Sequence, residues 1–304
     1  MATHSSFSRR RALCSGRRQQ LYDRTANAPP ALPQTRPRAI TPVPGGPEVP
    51  DDQLQSAILS RVPLEVRRLI WELVVGGHWL HLVHARGRLI AIQCERGVAF
   101  PDLSRCTHDC WGDTTGAECW ESQPGLFLSM KPSSPSRIVS LLALSRTCRR
   151  VYAETIHLLY STNTFDFNHI DTILSLSETT LRPRLDSLRQ IRLQFWFVQE
   201  FPPLEQDTSS NTSTALRTAH DLEKWEETCT ILTSLKGLAG LYLHLDGQAV
   251  NRAPSLRRVF ASLYPIRQPR IFEVSVCGLG PKEVAKVVVD PSAAPFQVVL
   301  RDSC

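Results

Sequence analysis

The stretch LLALSRTCRRVYAETIHLLYSTNTFDF, Leu141 to Phe167, constrains this chain more than any other, because apolar period, helix stop and strand start agree along its whole length. Leu141, Leu144, Cys148, Val151, Tyr152, Thr155, Ile156 and Leu159 recur at steps of three and four, which places them in one stripe of a continuous helix. Such a stripe must be buried. Ser161, Thr162 and Asn163 end the helix, with Asn163 suited to the left-handed conformation of a helix terminus. Phe165 and Phe167 then alternate around Asp166 as a strand begins. On this reading Leu141, Cys148, Tyr152, Leu159, Tyr160, Asn163 and Phe165 form a structural hub, with Tyr152 and Leu159 buried.

Upstream, Leu54, Ala57 and Ile58 give a short helix ending near Arg61, its start favoured by the negative charge of Asp51 and Asp52. Pro63 opens a second helix at its first position, and Val66, Leu69, Ile70, Leu73 and Val74 are its apolar face, closed by Gly76 and Gly77. Trp79 to Val83 and Leu89 to Cys94 alternate around Ala85, Arg86 and Gly87 and predict a β-hairpin. Beyond the hub, helical and strand periods alternate. A helix over 169–181 precedes a strand with Ile191, Leu193, Phe195 and Phe197 inward. A long helix through Leu222, Trp225, Cys229, Leu232 and Leu235 precedes a strand over 241–245. A helix over 255–264 precedes a strand over 271–276, and 296–300 is the last strand candidate. The fold class is therefore α/β (or α+β): N-terminal helices and a hairpin, then helix–strand units whose right-handed crossovers build a small, largely parallel sheet.

Two motifs carry a family resemblance. Pro63, Glu65, Val66, Arg67, Ile70 and Trp71, with Val62 at the usual Leu position, resemble the L-P-x-E-[IV]-R-x-x-I-[WY] opening of F-box-like sequences. Leu141, Leu142, Cys148, Arg149, Tyr152, Glu154, Leu158, Leu159, Tyr160, Asn163 and Phe165 resemble the helix–strand signature that follows it in a group of fungal proteins of unknown function. The two parts lie on either side of the whole stretch from Gly77 to Ser140, whereas a true F-box is one compact module. The resemblance implies a protein–protein interaction scaffold, a substrate adaptor of a cullin-type ubiquitin ligase, that binds a Skp-type adaptor through Val62, Pro63, Leu64, Ile70 and Trp71. The competing reading packs this helix wholly within its own core. The later helix–strand units also resemble the curved sheets of leucine-rich-repeat partners of F-box modules, although no fixed period accompanies them.

Charge divides the chain. Residues 1–50 hold eight arginines against Asp23 and Glu48, which accounts for the whole net charge of +6 and leaves the remainder neutral. This tail is rich in Arg, Ser and Pro without an apolar period, so it predicts disorder, with 51–302 forming a single domain. Arg9 to Arg11 with Arg17 and Arg18 could alternatively act as a nuclear import patch, the segment to Tyr22 as a transit peptide, or the tail as a non-specific nucleic-acid anchor. The nine cysteines, without an apolar stretch behind Met1, point to a reducing cytoplasmic or nuclear location, and no segment is apolar enough to span a membrane.

Reactive chemistry is sparse. The sequence has no G-x-S-x-G elbow, no G-x-x-x-x-G-K-[ST] loop and no H-E-x-x-H helix, and Gly278, Gly280 and Lys282 make a plain turn, so no catalytic residue and no enzyme is predicted. His78, His81 and His84 cannot converge on a metal, because side chains alternate along a strand. Cys106, His108, Cys110 and Cys119, with Cys94, supply the donor types of a structural zinc site in a segment, 95–136, predicted to be a mobile insertion. A second closely spaced pair is missing, which favours thiols packed as small hydrophobes and no cofactor. Arg146, Arg149 and Arg150 make a solvated basic face, with Glu154 placed to pair with Arg150.

Overall fold

Helix and strand alternate as the periods predict, and every strand joins one sheet. The structure is a computed structural model that describes residues 30–33, 53–85, 88–94, 141–167, 170–196, 210–246, 253–277, 279–288, 290 and 292–301. Among these the helices are α1 (Ala57–Arg61), α2 (Leu64–Val75), α3 (Leu142–Ser145), α4 (Arg149–Ser161), α5 (Ile170–Thr179), α6 (Arg182–Leu185), α7 (Ser210–Ser234), α8 (Ala253–Ala261) and α9 (Pro281–Val287). The strands are β1 (Trp79–Ala85), β2 (Arg88–Gln93), β3 (Thr164–Phe167), β4 (Gln190–Trp196), β5 (Gly240–Asp246), β6 (Ile271–Cys277) and β7 (Gln297–Arg301).

The sheet runs β2-β1-β3-β4-β5-β6-β7, antiparallel only at the β1–β2 hairpin and parallel everywhere else. Each new parallel strand is added beside the previous one on the same side. With right-handed crossovers, that order sends every connecting helix to the same face. Packing agrees. Leu80, Leu82, Phe165, Phe167, Ile191, Leu193, Leu241, Leu243, Leu245, Phe272, Val274 and Val276 form one core with Ile173 and Leu176 of α5, Trp225 and Leu232 of α7, Val259 of α8 and Val284 of α9. The alternate residues of the strands therefore face away from the helices. Because the order never reverses, the sheet has no topological switch point and lacks the crevice that open α/β sheets usually place there.

The hub departs from one continuous helix. Helix α3 stops at Ser145, residues 146–148 turn, and Cys148 is extended (φ −157°, ψ 164°) with its Sγ accepting from the Val151 N–H at 3.4 Å. Thr147 Oγ1 donates to the Leu144 carbonyl at 2.7 Å, so short polar side chains here take over backbone bonds that a helix would use. Leu159 is buried, whereas Tyr152 is only half-buried, with the Arg184 guanidinium over its ring. Asn163 does not adopt the left-handed conformation, since Gln53 is the only non-glycine residue with positive φ among the described residues. Its buried side chain closes the helix instead. Oδ1 accepts from the His78 N–H at 2.7 Å, and Nδ2 donates to the Val75 and Leu159 carbonyls at 2.7 and 2.8 Å. The ends of α2 and α4 and the start of β1 thus meet on one amide.

The other boundaries shift by small steps. Pro63 caps α2 rather than opening it, Leu59 is the buried residue of α1 while Leu54 is exposed, and a separate short α6 follows α5. Asp51, Asp52 and the insertion at 95–136 lie outside the described residues, as does the tail apart from 30–33, where the Leu32 N–H donates to the Glu178 carbonyl at 3.1 Å. No helix among the described residues is long and apolar enough to cross a membrane.

Candidate functional site

Helix α2 is held from behind by charge rather than by its apolar period. Arg67 is 4% exposed and Trp71 4% exposed, and with Val75 they form the buried row of the helix. Arg67 Nη2 and Nε donate to Glu154 Oε1 and Oε2 at 2.7 and 3.1 Å, and its Nη1 donates to the carbonyls of Val62 (2.7 Å) and Leu59 (3.3 Å). Trp71 Nε1 donates to Glu154 Oε2 at 2.8 Å, and Arg150 Nε lies 3.5 Å from Glu154 Oε1. Burial alone would push the Glu154 carboxyl up. The hydrogen bonds from Arg67 and Trp71 and the charges of Arg67 and Arg150 outweigh it and hold the carboxyl below its ordinary range. Around this clasp Leu59, Trp71 and Val151 make a small apolar cluster, with Ile58, Ile70, Leu144, Cys148 and Leu158 packed on it.

The predicted contact residues therefore separate. Trp71 is buried and Ile70 half-buried against α4, Val62 is half-buried with its carbonyl engaged by Arg67, and Pro63 and Leu64 are exposed at the start of α2. The apolar face read from the sequence points the other way from the clasp. Val66, Leu69 (62% exposed), Leu73 (83% exposed) and Val74 lie in the open with Leu64 and, from the preceding turn, Leu54. This is a contiguous helical row at positions 66, 69 and 73, with no described element packed over it.

The proposed zinc residues Cys106, His108, Cys110 and Cys119 lie outside the described residues. Cys94 is buried against Trp79, and no group of three metal-ligating side chains occurs among the described residues. His78 and His81 go to different partners. The His78 ring Nδ1 lies 3.1 Å from Gln93 Nε2, and fully buried His81 has Nδ1 2.9 Å from Asp166 Oδ2, off the line of a straight hydrogen bond. Gly280 caps α9 in an ordinary turn.

Sequence reasoning did not single out the helix-free face of the sheet, which carries a row of ionisable side chains in register. His81, Asp166, Arg192, Tyr242 and Glu273 sit side by side on β1, β3, β4, β5 and β6. Arg192 lies over two rings, with its Cζ 4.3 Å from the centroid of Trp79 and 4.9 Å from that of Tyr242. Trp79 Nε1 donates to Asp166 Oδ2 at 3.0 Å, and Arg301 Nη2 lies 3.9 Å from Glu273 Oε1. Burial pushes the Arg192 guanidinium down in pKa, opposed by the charges of Asp166, Tyr242 and Glu273. The available signal was the polar alternate positions, Asp166 and Arg192, within otherwise apolar strands.

A comparison with family models places residues 51–279 in the domain of unknown function DUF7730. The chain belongs to this family. No curated protein and no solved structure matches it. The DUF7730 span takes in α1, α2, the clasp on α4 and β1 to β6, so both the exposed face of α2 and the row from His81 to Glu273 belong to the family domain, while α9 and β7 follow it.

Proposed function

We propose that the protein is a non-enzymatic, F-box-like interaction scaffold of the cytoplasm or nucleus, which docks a Skp-type adaptor through α2 as a substrate adaptor of a cullin-type ubiquitin ligase would. The observation that carries this reading is the exposed apolar row Leu64, Val66, Leu69, Leu73 and Val74 on a helix whose opposite side is fixed by the Arg67–Trp71–Glu154 clasp. An amphipathic helix with its apolar face outward fits a hydrophobic groove through residues three and four apart. Leucines exposed to this extent on one face mark an interaction site more often than a solvated surface. The clasp supports the reading because it presents the helix as a rigid element. Its contact set is Pro63, Leu64, Val66, Leu69, Leu73 and Val74, with Trp71 setting the helix in place.

The test is retention of a purified Skp-type adaptor on the immobilised full chain. Leu69→Asp and Leu73→Asp are expected to abolish retention while changing stability by no more than about 0.5 kcal/mol, since both side chains are already in solvent. Absence of retention by the wild type, or retention undiminished in the double variant, overturns the adaptor role.

A further inference from the structure

Arg192 is buried in a way that a structural arginine rarely is. Its side chain is 8% exposed, its Nη1 is fully enclosed without a hydrogen-bond acceptor, and no carboxylate among the described residues lies within ion-pair distance of it. The two nearest acids are already engaged, Asp166 by Trp79 Nε1 and His81, and Glu273 by Arg301. A guanidinium withdrawn from water without a paired anion is destabilising, and cation–π contact with two rings offsets only part of that loss. Ser275, two strands away on the same face, is fully buried with its Oγ also lacking a partner. Two unmet polar groups on the face of the sheet that its own helices leave uncovered are a feature of binding sites more than of cores.

We propose that this face binds a carboxylate, with Arg192 as its cationic anchor, Trp79 and Tyr242 as its walls and Ser275 as a further hydrogen-bonding group. The planar fork of a guanidinium matches a carboxylate through parallel N–H···O bonds. A singly charged anion also suits the surroundings, because Asp166 and Glu273 flank Arg192 in the same row and repel a phosphate dianion more strongly. The carboxylate comes either from a free organic acid or from the carboxyl terminus of a peptide. The site is independent of the α2 face, so either can fail alone.

Calorimetric titration of the full chain tests this with succinate, with acetyl-triglycine, with its C-terminal amide and with inorganic phosphate at matched ionic strength. The expected result is saturable binding of succinate, acetyl-triglycine or both, and none of the amide or phosphate. Binding of succinate alone assigns a small organic acid, and binding of the tripeptide assigns a peptide terminus. Arg192→Met and Arg192→Lys are each expected to weaken that binding by about 10- to 100-fold, the loss of a charge-assisted hydrogen bond, with the melting temperature of Arg192→Met unchanged or raised. If Arg192→Met fails to fold, Arg192→Lys, which keeps the charge, gives the reading. No binding of either carboxylate, equal binding of phosphate, or affinity unchanged in the Arg192 variants overturns the proposal.

Discussion

Glu154 accepts from Arg67 and Trp71 at once, so the two motif residues that carry the family resemblance spend their polar groups inside the molecule. With side chains 5% and 12% exposed, Arg67 and Glu154 form a buried ion pair. Removing one partner of such a pair leaves the other uncompensated, which costs about 3–5 kcal/mol. Glu154→Gln is therefore expected to loosen α2 from α4 by that amount, read as faster amide hydrogen exchange along α2 than along β4 to β6. The same pair explains why the sequence misassigned the buried face of α2. A hydrophobic period counts only apolar side chains, and it selects Val66, Leu69, Leu73 and Val74. Arg67 becomes a core residue only because its counter-charge arrives from 87 positions away, which no local window contains.

Elements were more legible than residues, because a helix or strand is fixed by many side chains and survives a few errors. Strands β3 to β6 were readable from apolar alternation around Asp166, Arg192, Tyr242 and Glu273, and α7 from the spacing of Leu222, Trp225, Cys229 and Leu232. The break between α3 and α4 was not, since Cys148 keeps its place in the apolar stripe while its backbone is extended and its sulfur caps the next turn. The junction of α7 with β5 rests on a close approach of a different kind. Gly237 lies against the backbone of the turn after α6, where an added Cβ would overlap the Asp186 carbonyl oxygen, and its own carbonyl accepts from Arg189 Nη1 at 3.1 Å. Backbone atoms cannot move aside as a flexible side chain can. Gly237→Ala is expected to lower stability by about 1–3 kcal/mol, as overpacking does, and a thermal melt matching the wild type would show that the approach is slack.

At the scale of the molecule, two apolar bodies of unequal size hold the chain. The larger runs from Leu80 on β1 through Trp225, whose Nε1 donates to the Val259 carbonyl at 3.1 Å, to Phe296 before β7, and it contains no ionised pair. The smaller, around Leu59, Trp71 and Val151, is separate from it and depends on the Glu154 carboxylate. Their responses to acid should therefore differ. The folded-state pKa of Glu154 lies below its ordinary value, so its contribution is fully present above the ordinary carboxylate range and is lost as pH falls through the lowered value. Protonation removes the charge that Arg67 faces, while the sheet core carries no equivalent group. On lowering the pH from neutral, amides of α1 and α2 should lose protection first, with those of β4, β5 and β6 still protected, and Glu154→Gln should show the same early exchange already at neutral pH. Hydrogen exchange followed by mass spectrometry measures the order directly. Simultaneous loss of protection in α2 and β5 across the acid range would mean that the clasp and the sheet unfold as one unit, and that α2 is not a separately secured element.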